Sequence, residues 1–215
     1  MNSSTRKTLD RSFTGMGFVA ILLVVAALAV ILGPILLKGA GAFVFRETVE
    51  NRRMMLDYFG RGDKAAIERE RAEIAEARRP VYAALEAFEA ELAAGGPALR
   101  SKHSKNLADV KKRLAALFGP APGDRTPILP RDQYGQTRWD RALVKLNDVL
   151  YAVSYDFSDP SKMGVQVLRP RAEQFAGTSL EPMFAALESN FEAMMRPRLT
   201  FYWRFLTDAS KDSHF

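Results

Sequence analysis

The chain predicts a mainly α-helical fold: one N-terminal transmembrane helix, then an α-helical extracytoplasmic domain with a helical hairpin and long loops. Three patterns carry that prediction. Residues Ser12 to Leu37 form an uncharged run between Arg11 and Lys38. Ile67, Ile74, Val81 and Phe88 recur every seven residues, the period of an amphipathic helix seam. Leu180, Phe184, Leu187, Phe191 and Met194 follow one another at steps of four and three, the same seam in a second place.

The apolar run has the length of a membrane span. Its 26 residues reach about 39 Å as a helix at ~1.5 Å per residue, more than the ~30 Å hydrocarbon core. Fifteen of them are Leu, Ile, Val or Phe, and at ~0.3 to 0.6 kcal/mol each they favour insertion by roughly 5 to 9 kcal/mol. A secretory signal is the rival reading, because Arg6, Lys7 and Arg11 precede the run and Ala40-Gly41-Ala42 offers small residues after it. Signal cores run to only ~7 to 15 apolar residues, so a retained anchor is expected. A buried helix of a soluble domain would show a polar stripe, and none interrupts the run. Gly33-Pro34 is expected to bend or end the span.

The expected division is a cytoplasmic tail over residues 1–11, the span over 12–37, a mainly helical extracytoplasmic domain over 38–198 and an aromatic juxtamembrane segment over 199–215. The three basic residues of the tail against Asp10 favour a cytoplasmic N-terminus, since long translocated domains largely escape the positive-inside rule.

Within the outer part, Phe43 to Tyr58 mixes apolar and charged residues as a helix leaving the membrane would, and Gly60-Arg61-Gly62 breaks it. Asp63 is the expected N-cap of the next helix, whose seam also takes in Leu85 and Leu92. Pro80 within it predicts a kink or a break at Arg79. Gly95-Gly96-Pro97 ends that helix, and another is expected from Ser101 or Ser104, burying Leu107, Val110, Leu114 and Leu117 and closing at Gly119. The two seams joined by a turn read as an antiparallel helical hairpin.

Pro120 to Pro130 reads as a loop. Trp139 to Tyr155 reads as a helix with an extended end, with one short strand over Val149 to Phe157 as the alternative. Asp156 to Phe175, with Pro160, Gly164 and Pro170, reads as a long ordered loop. Thr178 and Glu181 have capping-box spacing, and Pro197 ends the last helix. Phe201, Tyr202, Trp203 and Phe205 then crowd with Arg196, Arg198 and Arg204, which suits either an aromatic belt at a membrane surface or ordinary core aromatics.

Composition narrows the chemistry. Cysteine is absent, so there is no disulfide or thiolate metal site. The net charge of +6 is too modest to imply nucleic acid, and no partner of that kind is expected. Gly96 to Lys145 holds eleven Lys or Arg against four Asp, a candidate face for anionic partners, although a solvated helix surface plus a basic loop has the same composition.

No phosphate loop occurs, because neither Gly15-Met16-Gly17 nor Gly60-Arg61-Gly62 has the length or the lysine. His103 and His214, the only histidines, read as solvent-exposed, so no metal site or histidine-based triad is expected. Asp140, Asp156 and Asp159 read as turn residues, not as an acid and base pair. Arg131, Arg138, Arg141, Arg169 and Arg171 have the chemistry to fork an oxyanion if the fold gathers them, and otherwise serve as ion-pair partners. No enzyme, cofactor, metal or substrate-contacting residue is assigned.

Five blocks carry a family resemblance: Gly41-Ala-Phe-Val-Phe-Arg46, Arg52-Arg53-Met54, Arg131-Asp-Gln-Tyr-Gly-Gln-Thr-Arg-Trp-Asp-Arg141, Met163-Gly-Val-Gln-Val-Leu-Arg-Pro-Arg-Ala-Glu-Gln-Phe-Ala-Gly177 and Leu199-Thr-Phe-Tyr-Trp-Arg-Phe-Leu-Thr-Asp208. Together they resemble the long N-terminal extension of bacterial phosphate ABC transporter permeases of the PstA type. The resemblance implies the first span and extracytoplasmic region of such a permease, in the plasma (inner) membrane. Membrane lipid, another permease subunit, an ATPase subunit and a phosphate-binding protein are the partners it implies. One span encloses no pathway, so transport by this chain alone is not expected. The rival reading is a single-span anchored extracytoplasmic sensor or adapter.

Overall fold

The computed structural model of the chain describes residues 3–157 and 164–206. They divide between two compact units, one of residues 3–44 with 201–206, the other of 45–157 with 164–200. Six α-helices and two two-stranded sheets appear among the described residues, a mainly α fold.

In the first unit, α1 (Ser3–Phe43) is one continuous helix. Its Gly15–Gly41 stretch has a mean hydropathy of 3.0 and none of its most apolar window is buried within the chain. It is long and apolar enough to cross a membrane. The expected bend or end at Gly33-Pro34 is not an end: the helix runs on to Phe43. A proline removes only one ladder bond, few among the many of a helix this long. A 3₁₀ turn over Trp203–Leu206 lies in the same unit, tied there by the Tyr202 amide, which donates to the Phe43 carbonyl at 2.6 Å.

The second unit begins with a correction. The helix expected over Phe43 to Tyr58 is interrupted, because β1 (Val44–Glu47) pairs with β4 (Arg198–Phe201) before α2 (Val49–Phe59) starts. Val44 and Phe45 favour extended backbone. Thr48 is then fixed by its amide on the Thr137 carbonyl and its hydroxyl on the Gln136 carbonyl.

α3 (Lys64–Ala94) starts as predicted, with Asp63 accepting from the Ala65 and Ala66 amides at 2.9 and 3.2 Å. All six predicted seam residues are buried, from Ile67 to Leu92. The break expected at Arg79 does not occur, and the helix passes through Pro80. Pro80 and Glu76, whose carbonyl loses its partner, both lie on the exposed face, where a solvent-side carbonyl can tilt toward water at little cost. The buried stripe meanwhile continues on both sides of the proline, with Ile74 and Arg78 before it and Val81 and Leu85 after it.

α4 starts earlier than predicted: it spans Gly96–Phe118, with Pro97 in its first turn, where a proline's missing N–H costs nothing. The α3–α4 hairpin forms, with Leu107, Val110, Leu114 and Leu117 buried against Val81, Leu85 and Phe88 in one core. Gly119 ends the helix at φ 85°, a conformation that favours glycine. Gly135 comes so close to the Leu117 and Phe118 backbone that a Cβ has no room, and the Gln136 amide bonds the Leu117 carbonyl. The loop after α4 is thereby folded back on its own helix end.

α5 (Trp139–Leu150) runs into β2 (Tyr151–Asp156), as the preferred reading of that segment had it. The long loop expected after it is wrong for residues 165–170, which form β3 (Val165–Pro170), antiparallel to β2 from Tyr151 opposite Pro170 to Asp156 opposite Val165. Four strands thus appear among the described residues where one at most was predicted. Val165-Gln-Val-Leu168 has too short an alternation to outweigh the turn signals of Gly164 and Pro170.

α6 (Glu181–Met195) buries Phe184, Leu187, Phe191 and Met194 as predicted, with Leu180 at its N-cap. The capping box is altered. Thr178 Oγ1 accepts weakly from the Leu180 amide at 3.3 Å, while Glu181 reaches the Gly177 amide. Pro182 already removes one donor from this terminus.

Candidate functional site

The predicted arginines do not converge. Arg171 is buried and spent: it donates to the Asp109 carboxylate at 2.7 Å and to the carbonyls of Val149, Asp148 and Tyr151, holding α5 and the start of β2 to α4. Arg131 bonds the Tyr134 and Gly135 carbonyls, Arg138 pairs with Asp140, and Arg141 and Arg169 are exposed. They serve structure locally instead of forming one oxyanion fork.

His103 is corrected: it is 3% exposed, stacked on Phe175 and edge-on to Phe88. Its position one step before Leu107 on the α4 seam explains this. His214 and Asp159 lie outside the described residues. Among the described residues no group of three His, Asp or Glu is placed to hold a metal ion.

The basic region is partly neutralised. Lys111 pairs with Glu89, Arg113 with Asp109 and Lys145 with Asp148. Lys102, Lys105, Lys112, Arg125 and Arg141 are exposed and make no ion pair among the described residues. The β2–β3 ribbon is the other open surface. Val153 faces Leu168 across the register, with Tyr155 next along the same face, and the three are 51, 61 and 56% exposed. Cross-strand apolar pairs of this kind are usually covered.

Leu199, Phe201 and Trp203 are also exposed, at 74, 65 and 56%, so the aromatic segment is not core. In the first unit, Trp203 belongs to the turn joined to the C-terminal end of α1 through Tyr202.

The most site-like feature of the second unit was not foreseen. A cleft of about 500 Å³ opens between α2, α3 and the loop after α4. Under it lies a buried ion pair: Arg78 Nη1 donates to Glu50 Oε1 at 3.2 Å, and Arg78 Nε to the Met194 carbonyl at 3.0 Å. The guanidinium also lies 4.3 Å above the Phe118 ring, so one arginine joins α2, α3, α4 and α6.

Glu50 Oε2 is buried and accepts no hydrogen bond; Arg53 Nη1 is 3.7 Å away, beyond bonding distance. Tyr82 lines the same cleft, and burial is the main cause that raises its phenol above the usual value, so it remains a neutral hydroxyl. One sign of it was in the sequence: Arg78 stands on the Ile67–Ile74–Val81 stripe at helical spacing, and an ionisable residue on a buried stripe needs a partner; which partner, and the cleft above it, were not.

Comparison with family models, with curated proteins and with solved structures gives no match for this chain.

Proposed function

We propose that the chain is the first span and outer domain of a phosphate import ABC permease of the PstA type, anchored in the bacterial inner membrane with its N-terminus in the cytoplasm. In this reading α1 packs on the rest of the permease, and the helical domain contacts the phosphate-binding protein or covers the entrance. ATP hydrolysis belongs to a separate subunit.

One observation supports this reading most: the aromatic turn around Trp203 is tied to the end of the exposed apolar helix. Exposed Phe and Trp beside the end of a span suit the headgroup layer, where an aromatic ring meets lipid on one side and water on the other. The block resemblance agrees with it, since in that family further membrane helices follow the extracytoplasmic region. The free cations of α4 and the apolar face of the β2–β3 ribbon are the surfaces offered for docking.

The test pairs capture of a phosphate-binding protein with calorimetry of inorganic phosphate on the purified chain. Capture that weakens between 0.1 and 1 M salt, where the Debye length falls from about 10 to about 3 Å, without phosphate heat, supports docking. Absence of capture at either salt overturns it.

The second reading, an anchored extracytoplasmic sensor, is favoured by the cleft over Glu50 and Arg78. Ligand binding in that cleft with no partner capture would support it.

A further inference from the structure

We propose that the cleft between α2, α3 and the loop after α4 binds a small hydroxylated oxyanion, a molecule of sugar-acid or sugar-phosphate size bearing hydroxyls beside a carboxylate or phosphate. The assignment stands whether the outer domain serves a permease or a sensor.

The cationic side of the cleft is under-used. Arg53 is held by the face of the Tyr134 ring, 5.1 Å from its guanidinium carbon, and by ion pairs with Glu50 and Asp57 at 3.7 and 3.8 Å. Its side chain makes no hydrogen bond among the described residues. Arg71 spends Nη1 on Glu68 and keeps its other donors. Two guanidiniums with open N–H groups at one cleft suit the planar, bidentate recognition of a carboxylate or phosphate.

The floor asks for a different group. Glu50 Oε2 is a buried acceptor without a donor, an arrangement that native structures rarely leave uncompensated. Arg78 and Arg53 already flank Glu50, so a third cation is not required, and a neutral O–H completes the carboxylate without adding charge. Arg53 stands over that oxygen. When it turns to a ligand's anionic group, it uncovers Oε2 for the ligand's hydroxyl. The Tyr82 hydroxyl, unbonded among the described residues, supplies a second polar contact. Pro120 and Pro122 give flat apolar walls for the carbon skeleton. A volume of about 500 Å³ falls within the range of small-molecule sites, which are mostly apolar with a few placed polar groups. A bare inorganic anion would leave most of it unfilled and offer Glu50 no alcohol.

The experiment is isothermal titration of the full chain in detergent micelles with four probes: D-glucuronate, D-glucose 6-phosphate, D-glucose and inorganic phosphate. Saturable binding of glucuronate, glucose 6-phosphate or both is expected, at least about 10-fold tighter than glucose or phosphate. Which of the two binds tells carboxylate from phosphate. Arg71→Gln and Tyr82→Phe should each weaken it by about 10-fold, the scale of one lost charge-assisted or buried hydrogen bond. Arg71 is exposed and Tyr82→Phe keeps the ring, so both variants should fold, which circular dichroism checks. The proposal is overturned if neither hydroxylated anion binds, if both variants bind unchanged, or if inorganic phosphate binds as tightly as glucose 6-phosphate.

Discussion

α1 and α3 are the two longest helices, and they use apolar residues in opposite ways. α1 shows Leu22, Leu23, Val24 and Val25 at 57 to 66% exposure on consecutive positions, so every face is apolar and none is covered by the chain. α3 confines its apolar residues to one stripe, where Val81 and Phe88 are fully buried, and gives its other faces to Glu, Arg and Lys. Both helices carry many apolar residues, but their distribution differs: an all-round apolar surface suits a helix long enough to span a membrane, and a single apolar stripe suits one packed on a core in water.

The sharpest way to break this comparison is truncation along the two helices. Phe88→Ala in α3 should cost about 3 to 5 kcal/mol, and Leu85→Ala or Leu114→Ala about 2 to 5 kcal/mol, read by chemical unfolding of the chain in micelles. Leu22→Ala in α1 should leave that unfolding transition unchanged, because Leu22 touches no core. Equal losses in the two helices would contradict the division.

A smaller effect tests where α3 begins. Asp63→Ala removes the acceptor for two amides and should cost about 1 kcal/mol, with Asp63→Asn retaining most of the stability.

The smallest effect is set by pH. Partial burial works against ionisation of Asp109, but its bonds and charge interactions with Arg113 and Arg171 outweigh this and hold its carboxyl below the usual aspartate range. A carboxyl lowered on folding stabilises the fold above its unfolded value, ~3.9, and that contribution is lost as pH falls through the lower folded value. Stability should therefore decline below about pH 4, and Asp109→Asn should flatten that part of the profile. An unchanged profile in the variant would remove Asp109 from the account.

The seams were legible because every member obeys one period: Ile67 through Leu92, Leu107 through Leu117 and Leu180 through Met194 are buried where their spacing puts them. Elements that depend on a distant partner were not. β1 is a strand because β4 lies beside it, and β3 because β2 does. The persistence of α3 through Pro80 depends on α6, a tertiary contact that overrides local propensity. The cleft was hidden for the same reason. Glu50 and Arg78 lie on different helices, and Pro120 and Pro122 join them at the cleft from the loop after α4, whose return to the end of that helix needs a glycine at Gly135.

The central claim is that α1 is kept and lives in lipid while the rest of the chain folds in water. Alkaline carbonate extraction of membranes holding the full chain, followed by N-terminal sequencing, tests it most directly. The account predicts a chain that stays in the membrane pellet with the residues before Ser12 intact. A chain released into the supernatant and beginning near Phe43 would contradict it.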